Sequence, residues 1–316
     1  MLDIVTQYPT VAQGAGFAEK AHRGRLRFDG ADAVSFLQAL VTADLAGLSA
    51  GRRRYSTYLT PNGRLLADLT IFHRGDHLLA DAPAGRAPAL AERFDSLIFT
   101  EDVRVSDVSA ALAQFGVVGA RAGDVIRAVE PTLAIAGGFA APADDALVDS
   151  FDVFAPVAQR EAVVRALAGA GAVPMSPELA DVFRIGAGRP MFGVDMTEET
   201  IPLEAGLLDR AISTAKGCYV GQEIIIRVLH RGGGRVAKRL VKLRIDAAPD
   251  GGRAAPDAGT PLSVDGRDVG AITSAVYSPA SEAVVALGYL ARAAAVDGAR
   301  VMVGGERPAT VVGFAG

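Results

Sequence analysis

One cysteine, Cys218, stands in a chain of 316 residues, so no internal disulfide framework is open to it. Four histidines beside that single thiol leave little for a structural zinc site, and no metal-ligating set is nominated. Basic excess is missing too: 32 cationic against 36 acidic residues give a net charge of −4, which points away from nucleic acid and from an anionic membrane. No stretch approaches the roughly 18 uninterrupted apolar residues of a membrane-spanning helix. The opening MLDIVTQYPT lacks the basic flank and apolar core of a signal peptide. The phosphate loop GxxxxGK(S/T), the nucleophile elbow GxSxG and the zinc helix HExxH are all absent. With one thiol, an iron–sulfur cluster held solely by this chain is disfavoured.

What remains is a globular composition, half apolar and 22% charged, which excludes wholesale disorder. At about 150 residues per domain the length allows roughly two domains. The expectation is a soluble, cytoplasmic protein. Only four of the 32 cationic residues are lysine: Lys20, Lys216, Lys238 and Lys242. Coding bias towards arginine accounts for that in general, but a persisting lysine offers a compact charge with a shiftable pKa.

Hydrophobic spacing gives the coarse organisation. Arg25-Leu26-Arg27-Phe28 alternates as a half-buried strand does, and Ala31 to Leu40 puts Ala33, Phe36, Leu37 and Leu40 on one helical stripe. Tyr55 to Leu59 and Leu65 to Phe72 read as strands joined by the turn Pro61-Asn62-Gly63, followed by Leu78 to Ala80 and a helix over Ala87 to Ile98. Strands at Phe115 to Val118 and Phe151 to Ala155 and a helix at Glu161 to Ala168 continue the alternation. Segregated hairpins and helices indicate an α+β fold. Beyond residue 235 short, evenly spaced strands appear at Val236 to Ile245, Leu262 to Val264, Val269 to Tyr277, Ala283 to Leu290, Arg300 to Val303 and Ala309 to Val312. A Pro/Gly/Asp-rich loop over Ala247 to Thr260 interrupts them. That spacing predicts a small antiparallel barrel or sandwich. The expected division is 1–235, holding two interleaved α+β subdomains, and 236–316, a C-terminal β-barrel.

Chemistry-bearing residues concentrate between Pro202 and Arg235, around the string KGCYVGQE at Lys216 to Glu223. Its glycines permit tight backbone approach to a ligand. A lysine pointing at Cys218 would stabilise a thiolate. A lone cysteine is by default a small buried hydrophobe; the density of unusual neighbours favours a functional one here. Ile224 to Val228 is strand-like by propensity, whereas a helix starting at Gly221 would place Glu223 and Arg227 four apart on one face. Glu204, within Pro202-Leu203-Glu204-Ala205-Gly206, is either a surface glutamate or a forked acceptor for the N–H donors of a flat heterocycle. Asp68, set among leucines, is either paired in the interior or on the polar face of an edge strand. His230 to Arg235 reads as an anion holder or as a solvated linker.

These strings carry a resemblance. KGCYVGQE closely resembles the signature of the YgfZ-type folate-binding proteins, relatives of the glycine-cleavage T-protein in the aminomethyltransferase superfamily. Tyr58 to Leu66 (YLTPNGRLL), Arg184 to Asp195 (RIGAGRPMFGVD), Pro202 to Gly206, Gly270 to Ala275 with Ser278-Pro279, and Ala286 to Leu290 are similar to the same family. The resemblance implies three domains around a central cavity, the last a β-barrel. It also implies tetrahydrofolate binding and a part in assembling or maintaining iron–sulfur clusters in client enzymes, including some that modify tRNA. Asp68 matches the T-protein aspartate beside the reactive folate nitrogen, and Glu204 the glutamate on the pterin ring. Lys216 and Cys218 match the signature's reactive pair, while Tyr219, Gln222, Glu223 and Arg227 follow its pattern. Tyr55 or Tyr58 would supply an aromatic wall, and an arginine such as Arg227 the cation for the glutamate tail. The implied partners are folate and iron–sulfur client or assembly proteins, with no direct nucleic-acid contact and no membrane. A folate-dependent aminomethyl- or methyltransferase is the alternative, suggested by Asp68 and Glu204. Either way, Asp68, Glu204 and Cys218 are expected to meet at one pterin-sized hollow.

Overall fold

The computed structural model describes residues 3–144, 146–247 and 252–316. Helix α1 (Ile4–Gln13) leads into β1 (Gly16–Glu19), β2 (Arg23–Asp29) and α2 (Ala33–Leu40). A meander of β3 (Arg53–Leu59), β4 (Leu65–His73) and β5 (His77–Pro83) follows, then α3 (Ala87–Asp95) and β6 (Arg104–Asp107). The next stretch is β7 (Leu112–Val118), α4 (Ala122–Ile135), β8 (Phe139–Pro142), β9 (Ser150–Pro156), α5 (Arg160–Gly169) and β10 (Val173–Pro174). Three helices, α6 (Pro177–Gly186), α7 (Leu208–Ala211) and α8 (Gln222–His230), carry the chain to the last strands. These are β11 (Lys238–Ile245), β12 (Pro261–Val264), β13 (Arg267–Ser278), β14 (Ala283–Ala291), β15 (Arg300–Val303) and β16 (Arg307–Phe314).

The strands form a sheet ordered β3-β4-β5-β2-β6, a second ordered β10-β1-β7-β9-β8, and a closed barrel β11-β14-β13-β12-β15-β16. The fold is therefore α+β with an antiparallel C-terminal barrel. Closure leaves the barrel no free edges. Because β1 lies in the second sheet and β2 in the first, the two sheets interleave along the chain.

Each sheet is covered on one face by helices that bury an apolar stripe. Phe36 and Leu37 of α2 and Leu90 and Phe94 of α3 pack on Leu26, Phe28 and Leu69 of the first sheet. Val125, Ile126 and Val129 of α4 and Val163 and Leu167 of α5 cover the second. Removing a side chain of this size from water stabilises the fold by about 1.5–3 kcal/mol. The barrel has its own core, including Val241, Leu243, Leu262, Ile272 and Val301.

Helices α1 and α4 had no counterpart in the sequence reading, and each contains an internal proline, Pro9 and Pro131. Residues 222–230 resolve to a helix, starting after Gly221 in the left-handed region (φ 81°). The loop expected over Ala247 to Thr260 lies in part, at 248–251, outside the described residues. Among the described residues no helix is long and apolar enough to cross a membrane.

Candidate functional site

The signature loop and the β3–β4 hairpin are docked glycine to glycine. Gly63, in the hairpin turn at φ 70°, has no room for a side chain, since a Cβ would lie 2.8 Å from the Ile224 Cβ. A Cβ on Gly221 would lie 2.6 Å from the Thr60 carbonyl oxygen and 3.2 Å from the Gly63 Cα. Beneath this contact Leu59 and Leu65 pack with Tyr219 and Ile225. The two most distinctive strings in the sequence are thus the two halves of one interface.

Within the loop, Lys216 does not serve Cys218. Its Nζ donates to the carbonyl oxygens of Gln38 (2.5 Å), Val41 (2.7 Å) and Ala43 (2.9 Å), at and just beyond the C-terminal end of α2. Helix ends leave such carbonyls without intrahelical partners. Burial pulls the lysine's pKa down to about 8. Cys218 itself is exposed. Tyr219 is buried in the interface, with the Lys216 ammonium 5.3 Å from its ring centre.

Tyr58 is 1% exposed, tilted on Phe94 with ring centres 4.9 Å apart, and its hydroxyl accepts from Arg93 Nε at 2.8 Å. It is a core residue, and Tyr55 is the hairpin tyrosine that reaches a cleft. Gln222 is half-buried at the first position of α8. Glu223 and Arg227 form an exposed ion pair at 2.6 Å, which places the Arg227 guanidinium on the outer face of α8. Residues 230–235 cap that helix: the Gly232 N–H reaches the Arg227 carbonyl, and the Gly234 N–H the Val228 carbonyl.

Asp68 lies on β4, between β3 and β5, so the edge-strand alternative does not hold. Its carboxylate is buried and paired. Arg23 Nη1 donates to Oδ1 at 2.9 Å and the Tyr55 hydroxyl to Oδ2 at 3.2 Å. Arg23 Nε also donates to Asp81. Burial alone would lower the Arg23 pKa, but the two carboxylates outweigh it and the net shift is upward. Gln114 Nε2 continues the chain from Asp81 (2.5 Å) to Asp152 (3.2 Å), where Lys20 closes it at 2.7 Å. Burial, and then the Asp68 charge, push the Tyr55 hydroxyl well above its ordinary pKa, so it stays a donor. Sequence reasoning missed Arg23 because β2 alternates charge and looks half-solvated. A signal was available in the two acids, Asp68 and Asp81, on neighbouring apolar strands, since buried carboxylates require a cation.

Two clefts flank α7. The first, of about 430 Å³, is lined by Arg52, Arg53, Arg54, Tyr55, Arg210 and Asp144 among others. Here the Arg210 guanidinium lies 4.7 Å from the centre of the Tyr55 ring and its Nε donates to Asp144 at 3.0 Å. The second, of about 380 Å³, runs from Leu203, Gly206 and Arg210 to Arg239 and Phe314 of the barrel. Glu204 is buried between these parts; its backbone oxygen accepts from the Leu240 N–H at 2.8 Å. Its carboxyl makes no ion pair among the described residues, and burial raises its pKa against the opposing pull of Lys238 and Arg64. Burial likewise pushes up the Tyr289 hydroxyl, reinforced by the Glu204 and Asp195 charges. Asp68, Glu204 and Cys218 therefore do not line one hollow: Asp68 reaches the first cleft through Tyr55, Leu203 and Gly206 beside Glu204 line the second, and Cys218 lines neither.

Comparison with known proteins places this architecture. The GCVT N-terminal domain matches residues 3–137, and the glycine cleavage T-protein C-terminal barrel domain matches residues 238–314. The chain is 28% identical over 304 residues to an aminomethyltransferase of Rubrobacter xylanophilus, covering 91% of this chain and 79% of the other. It is 26% identical over 307 residues to an aminomethyltransferase of a Nostoc species, at 91% and 80% coverage. The fold is that of the glycine cleavage system aminomethyltransferase T of Bartonella henselae, with a TM-score of 0.85 at 23% identity over 98% of this chain and 88% of that one. With both domains present in order, the chain belongs to the glycine cleavage T-protein superfamily.

Proposed function

We propose that the protein binds tetrahydrofolate and acts in folate-dependent aminomethyl or methyl transfer. The observation that carries this is the cleft floored by Tyr55, tied beneath to the buried Asp68 and topped by Arg210. A volume of about 430 Å³ falls within the range of small-molecule sites, about 300–1,000 Å³. The residues lining it fit parts of the ligand: an aromatic face in Tyr55 and a cation for carboxylate in Arg210. Curated relatives named aminomethyltransferase support the transfer reading over a purely accessory role.

Bound tetrahydrofolate supplies the nitrogens that accept a one-carbon unit. The chain's own part is orientation. Arg23 fixes one carboxylate oxygen of Asp68, the other accepts from Tyr55, and the hydroxyl is thereby aimed and kept protonated. Asp68 acts on the cleft through Tyr55 and is a positioning residue. Arg210, held by Asp144, presents a fixed cation at the cleft.

Calorimetric titration with tetrahydrofolate tests binding, and one-carbon transfer from a range of amine donors tests turnover. Arg210→Ala is expected to weaken binding about tenfold, the worth of a charge-assisted contact, and Tyr55→Phe to slow transfer more than it weakens binding. A silent titration of the unaltered protein ends this reading.

A second reading has one observation in its favour. Cys218 is exposed on the signature loop, as a thiol serving other proteins must be. The finer kinship with YgfZ-type proteins, through KGCYVGQE, would make the chain a folate-dependent accessory factor for iron–sulfur enzymes, including those that modify tRNA. Cys218→Ala would then leave folate affinity intact and lower client activity; undiminished client activity removes the second reading.

A further inference from the structure

We infer that Asp81 is a positioning residue for the first cleft: it divides the Arg23 guanidinium so that one oxygen of Asp68 stays with Tyr55. Its bearing on turnover rests on the folate reading above; the division itself is geometric. Strand register puts Arg23, Asp81, Asp68 and Tyr55 on one face of the first sheet, opposite the face of Tyr58, Ala67 and Leu69 that packs under α2 and α3. Arg23 Nε donates to one oxygen of Asp81, and Nη1 donates to Asp68 Oδ1 at 2.9 Å. Nη2 reaches the main-chain oxygens of both acids, each at 3.3 Å. The guanidinium is therefore spread over two strands and is not forked onto one carboxylate.

An arginine facing a single carboxylate takes both of its oxygens in a parallel fork. Asp68 alone would balance the Arg23 charge, and a second buried acid adds desolvation that one shared cation offsets poorly. Asp81 is nevertheless secured. Gln114 Nε2 donates to its second oxygen at 2.5 Å and to Asp152 at 3.2 Å, which leaves Gln114 Oε1 buried without a partner among the described residues. A flipped amide would set oxygen against two carboxylates, so the orphaned oxygen is the consequence of holding Asp81. Arg25 stands directly opposite Asp81 in the β2–β5 register and does not compete for it. Its Nη1 donates to the Arg23 carbonyl at 2.6 Å and its Nη2 to the Ser109 carbonyl. Asp81 is thus left to Arg23, and Asp68 Oδ2 is left to accept from the Tyr55 hydroxyl at 3.2 Å. Without Asp81 the guanidinium would close on both oxygens of Asp68 and displace Tyr55.

The test reads the Tyr55 hydroxyl by NMR of unliganded protein carrying isotope-labelled tyrosine, the ring signal being assigned with Tyr55→Phe. The charged groups facing that hydroxyl are Asp68 on β4, Arg23 on β2 and Arg210 on α7. Asp81→Asn keeps the shape of the side chain and removes the charge that holds Arg23. Loss of the bond to Asp68 favours the phenolate, so the Tyr55 titration midpoint should fall by at least about one pH unit. Charge removal alone also lowers the midpoint, and an Arg23→Lys background separates the two causes, because an ammonium makes no fork. There Asp81→Asn should move the midpoint by less than about half as much. Equal shifts in both backgrounds, or none in either, overturn the division of Arg23. Where these variants do not fold, Gln114→Leu carries the test: it leaves every charge in place and should also lower the midpoint, and an unmoved Tyr55 signal overturns the inference. In one-carbon transfer to tetrahydrofolate, Asp81→Asn should lower kcat about tenfold with KM within about twofold, as loss of orientation without loss of a ligand contact does. An unchanged kcat beside a shifted Tyr55 signal overturns the role of Asp81 in the cleft's chemistry. A silent folate titration of the unaltered protein ends the folate reading and leaves the NMR test of the Arg23 geometry standing.

Discussion

Lys216 and Cys218 are two residues apart in the same loop and are held in opposite ways. The lysine is anchored by three carbonyl oxygens 173 to 178 positions away in sequence, whereas the cysteine is exposed. Removing the ammonium leaves part-buried carbonyls unpaired. Lys216→Ala should therefore lower stability by about 2–3 kcal/mol, as loss of charged hydrogen bonds does. Cys218→Ala should stay within about 0.5 kcal/mol. Urea denaturation of both variants checks this, and equal losses would remove the anchoring role. Glu204 gives a pH prediction. Burial raises its pKa in the folded protein, so the folded state holds the proton more firmly than the unfolded chain. Stability contributed by the protonated form is full below the ordinary carboxylate range and is lost as pH rises through the raised value. Glu204→Gln should then stabilise the protein near pH 7 and give no gain near pH 3.5, read from denaturation at both values. A gain of equal size at both would show that charge is not the cause. At this scale the sequence disclosed which residues were unusual but not what they touched, because the partners of Lys216 and Asp68 are main-chain oxygens and a strand arginine that carry no motif.

Two glycines of the signature separate backbone demand from backbone tolerance at the level of elements. Gly221 starts α8 at φ 81° with a carbonyl 2.6 Å from where a Cβ would sit, while Gly217 has nothing within 4 Å and no positive φ. Gly221→Ala should cost about 2–4 kcal/mol, combining left-handed strain with a clash against the hairpin. Gly217→Ala should be neutral or stabilising by up to about 1 kcal/mol. Thermal melts of the pair decide, and similar melting temperatures would mean that the hairpin contact is soft. The strands with clean alternation, strong turns or even spacing were legible: β3 and β4 around Asn62-Gly63, and the barrel strands β12 to β14. Helices α1 and α4 were not, since Pro9 and Pro131 read as breakers and tertiary packing overrides that cost. Helix α6 had an overlooked start signal, Ser176 before Pro177, whose hydroxyl accepts from the Leu179 N–H at 3.1 Å. The α8 sequence is β-prone, and its helical outcome is set by Gly221 at its N-terminus and by packing of Ile225.

Across the whole molecule the parts are tied by buried charge as well as by hydrocarbon. The chain Lys20–Asp152–Gln114–Asp81–Arg23–Asp68 runs from the second sheet into the first and ends under the cleft. The barrel has a tie of its own in Asp195, whose side chain is fully buried. One carboxylate oxygen accepts from Arg184 Nη1 on α6 at 2.6 Å and from the Met191 N–H at 3.0 Å. The other accepts from the hydroxyls of Thr273 and Ser274 on β13, each at 2.6 Å. A barrel could be read from strand spacing, but nothing local marks Asp195 as its clasp, because the barrel hydroxyls it holds lie 78 and 79 positions away in sequence. Asp195→Ala leaves the buried Arg184 with the half-exposed Asp181 as its remaining carboxylate, beside the Arg189 carbonyl, and takes the Ser274 hydroxyl's acceptor away, so a loss of about 3–5 kcal/mol is expected. Asp195→Asn keeps the shape: its amide oxygen can face Arg184 while its N–H groups donate to the hydroxyls, so it should recover part of that loss. Amide hydrogen exchange on β13 should accelerate more in the alanine variant than exchange on β4, because the barrel loses its tie while the first sheet keeps its own. If β4 and β13 accelerate together, Asp195 stabilises the molecule as a single cooperative body. If neither changes, the barrel is held by the apolar contacts of Val276, Leu287 and Leu240 with α6, and the carboxylate is dispensable.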